Sequence, residues 1–246
     1  IEAIEVWKKK SGVDYIILMD EKLGSKMKSK IIDTIEWAWF IRPDYGEIAV
    51  IAKNEGMAGL KRVKVEIGKP IHVLLAEKAP SLEAALEEYE NAAIEVKYDG
   101  MRTQIHKKGK DILLFTRRLE NVTKAFPDLV KLAKEHIKAE ECILEGEAIG
   151  IDPNTAKPLP FQYLSQRIHR KYDIHKLAKA IPIQVNLFDI IYIDGEMLFD
   201  KPFRERRKIL ESIVDVKKDV FQLAEQIITK DVKKAEAFYK KALEMG

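Results

Sequence analysis

Glu95-Val96-Lys97-Tyr98-Asp99-Gly100-Met101-Arg102 is the stretch that decides how this chain folds. The β-branched residues before Lys97 predict a strand, the Asp-Gly pair predicts a tight turn, and Arg102 falls on the next strand. A lysine at a strand end can act as a covalent nucleophile once its amine loses a proton, which burial or a nearby cation such as Arg102 promotes. Gly100 permits close approach of the backbone to a ligand, and the planar guanidinium of Arg102 suits phosphate or ribose oxygens. The alternative is an ordinary surface hairpin, because Asp-Gly is a common turn pair.

Further strand-like runs follow this stretch and predict an α+β fold with a mainly antiparallel sheet and flanking helices. Lys108-Gly109 is expected to close a hairpin, and Asp152-Pro153-Asn154-Thr155 is expected to break the fourth strand. The predicted strands cover residues 93–98, 102–107, 111–116, 142–151 and 183–193. The predicted helices cover about 81–91, 125–140, 173–180, 203–214 and 231–244, the first of them capped by Ser81.

The first 70 residues have a different pattern, so we expect a domain boundary near residue 70. Residues 28–41 carry apolar side chains at helical spacing, and a second short helix is predicted over 47–54. Alternation of Val63, Val65 and Ile67 predicts a strand over 61–69. Nothing before residue 60 suggests catalysis.

The composition bounds the class of protein. Charged residues make up 34% of the chain, which favours a heat-adapted protein with surface ion-pair networks. The single cysteine, Cys142, excludes an internal disulfide and a cysteine-based zinc site, and the five histidines lack ligand spacing. Neither a membrane span nor a signal peptide is indicated, so we expect a soluble, cytoplasmic protein.

The net charge of +3 is too small to hold nucleic acid by bulk charge. A polyanionic partner would have to meet local basic clusters. The sequence offers two of them, Arg167 to Lys171 and Arg204 to Lys208, and a solvated helix face is the alternative for each.

Four further motifs follow the lysine stretch in order. They are Arg117-Arg118-Leu119-Glu120-Asn121-Val122-Thr123, Leu144-Glu145-Gly146-Glu147-Ala148, Pro160-Phe161-Gln162-Tyr163, and Asn186-Leu187-Phe188-Asp189 with Asp194-Gly195. In this order and at these spacings the chain closely resembles the adenylation (nucleotidyltransferase) domain of ATP-dependent DNA ligases of the archaeal replicative type. RNA ligases and capping enzymes share Lys-x-Asp-Gly, but the run that begins at Arg117 favours DNA ligases.

The resemblance implies a role for each matching position. Lys97 would attack the α-phosphorus of ATP and carry the AMP as a phosphoramidate. The other implied contacts are Glu95 at the adenine edge, Arg102 and Arg117 on the nucleotide, Glu147 near the ribose and a magnesium ion, and Phe188 stacked on the adenine. We further expect Arg167, Arg170 and Lys171 to contact DNA phosphates.

The resemblance also implies a reaction and its partners. AMP would pass from the lysine to a 5′-phosphate at a nick in duplex DNA, and the 3′-hydroxyl would then displace it, as DNA replication, repair and recombination require. ATP and Mg²⁺ are the implied cosubstrate and cofactor, with ADP and NAD left open in place of ATP. A sliding clamp is a candidate partner, and we expect a monomer. The alternatives are an RNA ligase, a capping-type nucleotidyltransferase, or a non-catalytic nucleic-acid-binding module.

The resemblance is incomplete at both ends. Residues 1–70 resemble the C-terminal part of a helical DNA-binding domain, and 71–246 an adenylation domain without its last lysine-bearing strands or the OB-fold domain that follows. Ile71-His72-Val73-Leu74-Leu75 stands where the family usually has an arginine-containing stretch. We therefore expect this sequence to be part of a ligase.

Overall fold

The computed structural model describes residues 25–73, 76–168, 170 and 172–244. The chain divides into two compact units, one of which ends at Val73 while the other comprises the residues after it. None of the described helices combines the length and apolar character that a bilayer crossing requires.

The described part of the unit that ends at Val73 contains two helices. They are α1, Ser25–Ile41, and α2, Tyr45–Lys61. They pack together through a small buried core of Ala38, Ile48 and Leu60. The helix predicted over 28–41 is therefore confirmed.

The second helix is longer than the predicted 47–54. Asp44 caps it, because its side chain accepts a hydrogen bond from the backbone N–H of Glu47 at 3.0 Å. Gly56 lies at φ 60°, a left-handed conformation that glycine adopts without steric cost, so the chain kinks there and returns to helix.

The strand predicted over 61–69 is wrong. Arg42 Nη2 donates to the backbone oxygen of Lys64 at 3.0 Å, and the same guanidinium pairs with Glu66. The side chain of Arg42 thus occupies a backbone group to which a neighbouring strand would have to form a hydrogen bond. Alternating burial alone does not make a strand, since a sheet also needs a partner for the backbone groups.

The described strands of the second unit form two sheets. The strands are β1 Ala92–Glu95, β2 Met101–Lys108, β3 Asp111–Thr116, β4 Glu141–Ile151, β5 Pro158–Leu159, β6 Ile183–Ile193, β7 Glu196–Met197, β8 Phe221–Leu223 and β9 Gln226–Thr229. The larger sheet has seven strands in the order β3-β2-β4-β6-β7, with β5 added antiparallel to β4 and β8 parallel to β6. In the smaller sheet β1 pairs antiparallel with β9.

Helices cover the apolar face of the larger sheet. The described helices of this unit are α3 Leu82–Glu87, α4 Pro127–His136, α5 Phe161–Ile168, α6 Ile174–Ala180, α7 Phe203–Ile213 and α8 Val232–Glu244. Buried residues of α4, α5 and α7, among them Leu129, Leu164 and Leu210, join the sheet residues in one core cluster. Mainly antiparallel sheets with flanking helices confirm the predicted α+β class.

Along strand β2, side chains alternate between the two faces of the larger sheet. Met101 and Ile105 point into the core cluster, so Arg102 and Gln104 point to the opposite face. On that face the register with β4 places Arg102 opposite Glu147 and Gln104 opposite Glu145. The sheet therefore carries a row of charged and polar side chains on the side away from its apolar core.

Candidate active site

The turn that follows Lys97 is fixed against strand β4. A Cβ atom on Gly100 would lie 2.3 Å from the backbone oxygen of Ala148 and 2.8 Å from Ile149 Cγ2. Only glycine fits this approach to strand β4, and the predicted approach of the Gly100 backbone to a ligand stays a prediction. The side chain of Lys97 itself is exposed, just beyond the end of β1.

Glu147 lies at the centre of the predicted site. Burial raises the pKa of the Glu147 carboxyl to about 7, whereas the positive charges of Lys97 and Arg102 lower it and the negative charge of Asp99 raises it further. Arg102 lies opposite Glu147 in the sheet register, and Lys97 lies within electrostatic range of the same carboxylate. Near neutral pH this carboxyl can be either protonated or ionised.

A chain of hydrogen bonds holds Arg102 in place. Arg102 Nε donates to Glu145 Oε2 at 2.9 Å, and Gln104 Nε2 donates to Glu145 Oε1 at 2.7 Å. Gln104 Oε1 lies 2.8 Å from His106 Nε2, and burial lowers the pKa of His106 to about 3. The neutral ring can thus donate to Gln104. Glu145 is therefore the member of the Glu145-Gly146-Glu147 run that positions Arg102.

Phe188 lies at an irregularity in strand β6. Glu145 is opposite Asp189 and Gly146 is opposite Leu187, so Phe188 has no partner on β4. An extra residue of this kind re-aims its side chain. The half-buried ring lies under the guanidinium of Arg102, whose Cζ is 5.3 Å from the ring centroid. An aromatic face and a cation are therefore adjacent on the polar side of the sheet.

Asp189, which follows Phe188 in strand β6, is held by a side chain of helix α7. Arg206 Nε and Nη2 donate to the two carboxylate oxygens of Asp189, at 2.8 and 3.0 Å. Arg206 also donates through Nη1 to the backbone oxygen of Lys201 at 2.7 Å. This bidentate contact fixes the irregular part of β6 on which the ring of Phe188 depends.

Glu95 lies on the smaller sheet and faces the same region. Gln226 Nε2 donates to Glu95 Oε1 at 2.8 Å, and Arg207 Nη1 lies 3.6 Å from the same oxygen. Burial raises the pKa of Glu95, Gln226 and Arg207 lower it, and the negative charge of Asp189 raises it. Glu95 and Asp189 are close enough to interact, so the two sheets of this unit meet at the predicted site.

Arg117 is not part of this cluster in the structure. It is exposed in the turn after β3, and within the described residues no contact links it to Glu147 or Arg102. Its role on the nucleotide remains a prediction.

The structure corrects the DNA-binding prediction for Arg167. Its side chain is 1% exposed and forms a bidentate pair with Asp128, including Nη1 to Oδ2 at 2.9 Å. Arg167 Nη1 also donates to the backbone oxygen of Ile181 at 3.0 Å, and its guanidinium lies over the ring of Phe126. A buried guanidinium with these partners cannot reach a DNA phosphate.

The remaining members of that cluster stay candidates for DNA contact. Arg170 is exposed, and Lys171 lies outside the described residues. Their contact with DNA phosphates is a prediction that the structure does not test.

Sequence reasoning missed the residues that position the site. Glu145 was quoted within the motif Leu144 to Ala148 but was given no role, and Gln226 lay in no motif. Arg206 and Arg207 were noticed as part of a basic run, but that run was interpreted as a surface for nucleic acid or a solvated helix face. Their helical spacing, which directs neighbouring residues to different sides, was the available signal.

Known relatives support the resemblance. A DNA ligase of Nanoarchaeum equitans is 49% identical over 215 residues, which cover 87% of this chain and 38% of that protein. A DNA ligase of Thermococcus onnurineus is 46% identical over 238 residues, which cover 96% and 42%. A DNA ligase of Thermococcus fumicolans is 42% identical over 238 residues, with the same coverage of 96% and 42%. The chain spans about two fifths of the length of these curated relatives.

The family match covers the unit that contains the site. Residues 73–246 match the family described as the ATP dependent DNA ligase domain. That segment includes both sheets and every residue from Glu95 to Gln226 in the cluster described above. The match extends over more than half of the chain and agrees with the order of motifs that begins at Lys97. This chain belongs to the family of ATP-dependent DNA ligases.

Proposed function

We propose that this chain supplies the nucleotidyl-transfer core of an enzyme that seals nicks in duplex DNA through a lysyl-AMP intermediate on Lys97. The observation that carries the proposal is that Lys97 and Arg102 lie within electrostatic range of the Glu147 carboxylate, beside the Gly100 turn. The helical unit that ends at Val73 would belong to the part of the protein that binds DNA.

Lys97 is the nucleophile in this proposal. Its Nζ attacks the α-phosphorus of ATP, an N–P bond forms, and the bond to the departing pyrophosphate breaks. Before the attack the amine gives up its proton to solvent, which its exposed position allows. The exposed position of Lys97 leaves its amine reachable by a nucleotide that enters from solvent.

The neighbouring side chains would orient the nucleotide. The ring of Phe188 offers a face for the adenine, and Arg102 above it offers a cation for a phosphate or ribose oxygen. The hydrogen-bond chain through Glu145 and Gln104 fixes Arg102 before the nucleotide arrives. Catalysis of this kind depends mainly on positioning and on neutralising charge.

A magnesium ion fits the carboxylate of Glu147. Mg²⁺ commonly binds through one or two protein carboxylates together with substrate phosphates, and Glu147 would supply one such carboxylate. When bound, the ion would neutralise phosphate charge as pyrophosphate leaves. Glu147 must be ionised to hold it, and with a pKa of about 7 it is ionised in part of the molecules at neutral pH.

The test is the intact mass of the full-length protein after incubation with ATP and Mg²⁺. We expect one added AMP on the unaltered protein and none on Lys97→Arg, which keeps the charge but lacks a usable amine. Lys110→Arg is the matched control, because Lys110 is an exposed lysine of the same unit, in the hairpin turn at the far end of β2. Addition of AMP to Lys97→Arg, or mapping of the AMP to another lysine, would contradict the proposal.

Two further measurements separate the proposal from its alternatives. Labelling by GTP in preference to ATP would favour a capping-type enzyme. Transfer of AMP to a nicked RNA duplex, but not to a nicked DNA duplex, would favour an RNA ligase. Sealing of a nicked DNA duplex that Lys97→Arg cannot perform is the expected result.

A further inference from the structure

The basic run Arg204 to Lys208 on helix α7 does not form a single surface. Arg204 and Lys208 are exposed, whereas Arg206 and Arg207 turn inward. Arg206 donates two hydrogen bonds to Asp189 on the larger sheet, as described above. Arg207 reaches the smaller sheet, and the function proposed for the site does not yet use it.

Arg207 is held rigidly by contacts on three sides. Its Nε donates to Glu211 Oε1 at 2.9 Å, and its Nη2 donates to the backbone oxygen of Ala224 at 3.1 Å. The third nitrogen, Nη1, is buried without a hydrogen bond and lies 3.6 Å from Glu95 Oε1. The side chain is 11% exposed, so water screens its charge little, and Glu95 shares that charge with Glu211 at 2.9 Å.

Glu95 has one carboxylate oxygen engaged and one available. Within the described part of the chain, both Gln226 and Arg207 approach Oε1. Oε2 can therefore accept a hydrogen bond from a ligand, and a side-chain exposure of 26% makes it reachable. The chemistry of that oxygen depends on its charge, since an ionised carboxylate only accepts hydrogen bonds and a protonated one can also donate.

We propose that Arg207 is a specificity-determining positioning residue, which keeps Glu95 a pure hydrogen-bond acceptor so that the site selects a purine with a 6-amino group over one with a 6-oxo group. The inference rests on the proposed function, because it assumes that the base of the nucleotide lies against Glu95.

The discrimination follows from the two purine edges. Adenine presents an N6 amino donor, and guanine presents an O6 acceptor. Oε2 of an ionised Glu95 attracts the first and repels the second. Burial and the negative charge of Asp189 favour the protonated form of Glu95 by raising its pKa, whereas the hydrogen bond from Gln226 and the charge of Arg207 lower it. Without Arg207 the carboxyl could donate to guanine O6, and the preference for adenine would weaken.

The test compares ATP with GTP in lysyl-nucleotide formation by the full-length protein. We expect Arg207→Met to lower the ratio of kcat/KM for ATP to that for GTP by about 10- to 100-fold, as one charged hydrogen bond would. Arg207→Lys should restore part of the ratio, since it restores a cation. Lys208→Met is the matched control on the same helix, and it should leave the ratio unchanged. Both nucleotides are compared on the same folded molecules, so partial unfolding of a variant does not alter the ratio.

A pH series distinguishes this role from a structural one. In Arg207→Met the lost preference for ATP should return as the pH is raised, because Glu95 then ionises without help. The other titratable groups near Glu95 are Asp189 and Tyr98, and both are present in all of these variants. In a Glu95→Gln background, Arg207→Met should no longer change the ratio.

The outcomes separate this inference from the proposed function. If the unaltered protein forms lysyl-AMP on Lys97, but Arg207→Met slows ATP and GTP equally at every pH, the inference is overturned and the proposed function stands. If the unaltered protein accepts neither nucleotide on Lys97, both are overturned.

Discussion

Phe188 is the residue whose proposed role is easiest to separate from ordinary packing. Its ring is only half-buried and lies beside Arg102 on the polar face of the sheet. We expect Phe188→Ala to weaken ATP binding by about 1–3 kcal/mol, the usual worth of a stacked base. Isothermal titration with ATP measures this, and Phe188→Tyr should bind almost normally because it keeps an aromatic face. Unchanged ATP affinity in folded Phe188→Ala would mean that the ring only covers the sheet.

The raised pKa of Glu147 leads us to expect a pH dependence of the free energy of unfolding, which can be measured without any ligand. Its pKa is raised from 4.5 to about 7 in the folded protein. A carboxyl raised in this way contributes stability that is fully present below about pH 4.5 and is lost as the pH rises through about 7. Glu147→Gln removes the ionisation, so the variant should gain stability relative to the unaltered protein across that interval.

The expected gain is about 1–2 kcal/mol, less than the full shift implies, because the group is only half-buried and solvent screens it. Urea unfolding at pH 5 and pH 8 measures it, and the exposed Glu236→Gln serves as control. If the difference in the free energy of unfolding between Glu147→Gln and the unaltered protein were the same at both pH values, burial would not disfavour the ionised form of Glu147.

The role of a single residue could be predicted from the sequence where the residue belongs to a motif. It could not be predicted where the role depends on a partner that is distant in the sequence. Lys97, Arg102 and Glu147 were expected together, and the structure brings them together. Arg167 was misjudged because a basic run is visible in the sequence, whereas its partner Asp128 lies 39 positions away. No local sequence pattern indicates a pairing between residues so far apart.

At the scale of elements, length decided what the sequence could reveal. Five of the six predicted strands were found, because runs of four or more β-branched and alternating residues are clear signals. The sixth, over 61–69, was wrong, since the side chain of Arg42 binds its backbone. Strands β5 and β7 have two residues each and were missed. Strand β9 was missed because it is defined by pairing with β1 across more than a hundred residues, as Glu95 and Gln226 show. Helix α5 was missed within a segment that was read only as a motif.

Helix α5 also gives a prediction, since Arg167 ties it to helix α4. Arg167→Met would leave Asp128 and the backbone oxygen of Ile181 without their donor. We expect a loss of about 2–3 kcal/mol in the free energy of unfolding, toward the lower end for a broken pair because Asp128 is 27% exposed. Chemical denaturation measures it, with Arg170→Met as the exposed control. A variant as stable as the control would refute a structural role for Arg167.

At the scale of the whole molecule, charge is nearly balanced. The 43 basic and 40 acidic residues leave +3, so attraction to DNA depends on where the cations lie. Many of them are engaged in ion pairs in the described part of the chain, as Arg102, Arg167 and Arg206 are. A basic run in the sequence therefore overstates the charge that a partner can reach.

This argument makes Arg170 and Lys171 the members of their cluster to test. Replacing both with glutamine lowers the net charge from +3 to +1, as does the control Lys233→Gln with Lys240→Gln on helix α8. If the first pair contacts two phosphates, the slope of log K against log salt for nicked DNA should fall by about 1.8, since each phosphate contributes about 0.9. The control pair should leave that slope nearly unchanged, and both double variants should still form lysyl-AMP on Lys97. Equal slopes for the two double variants would mean that only net charge matters, and the local contact would be wrong.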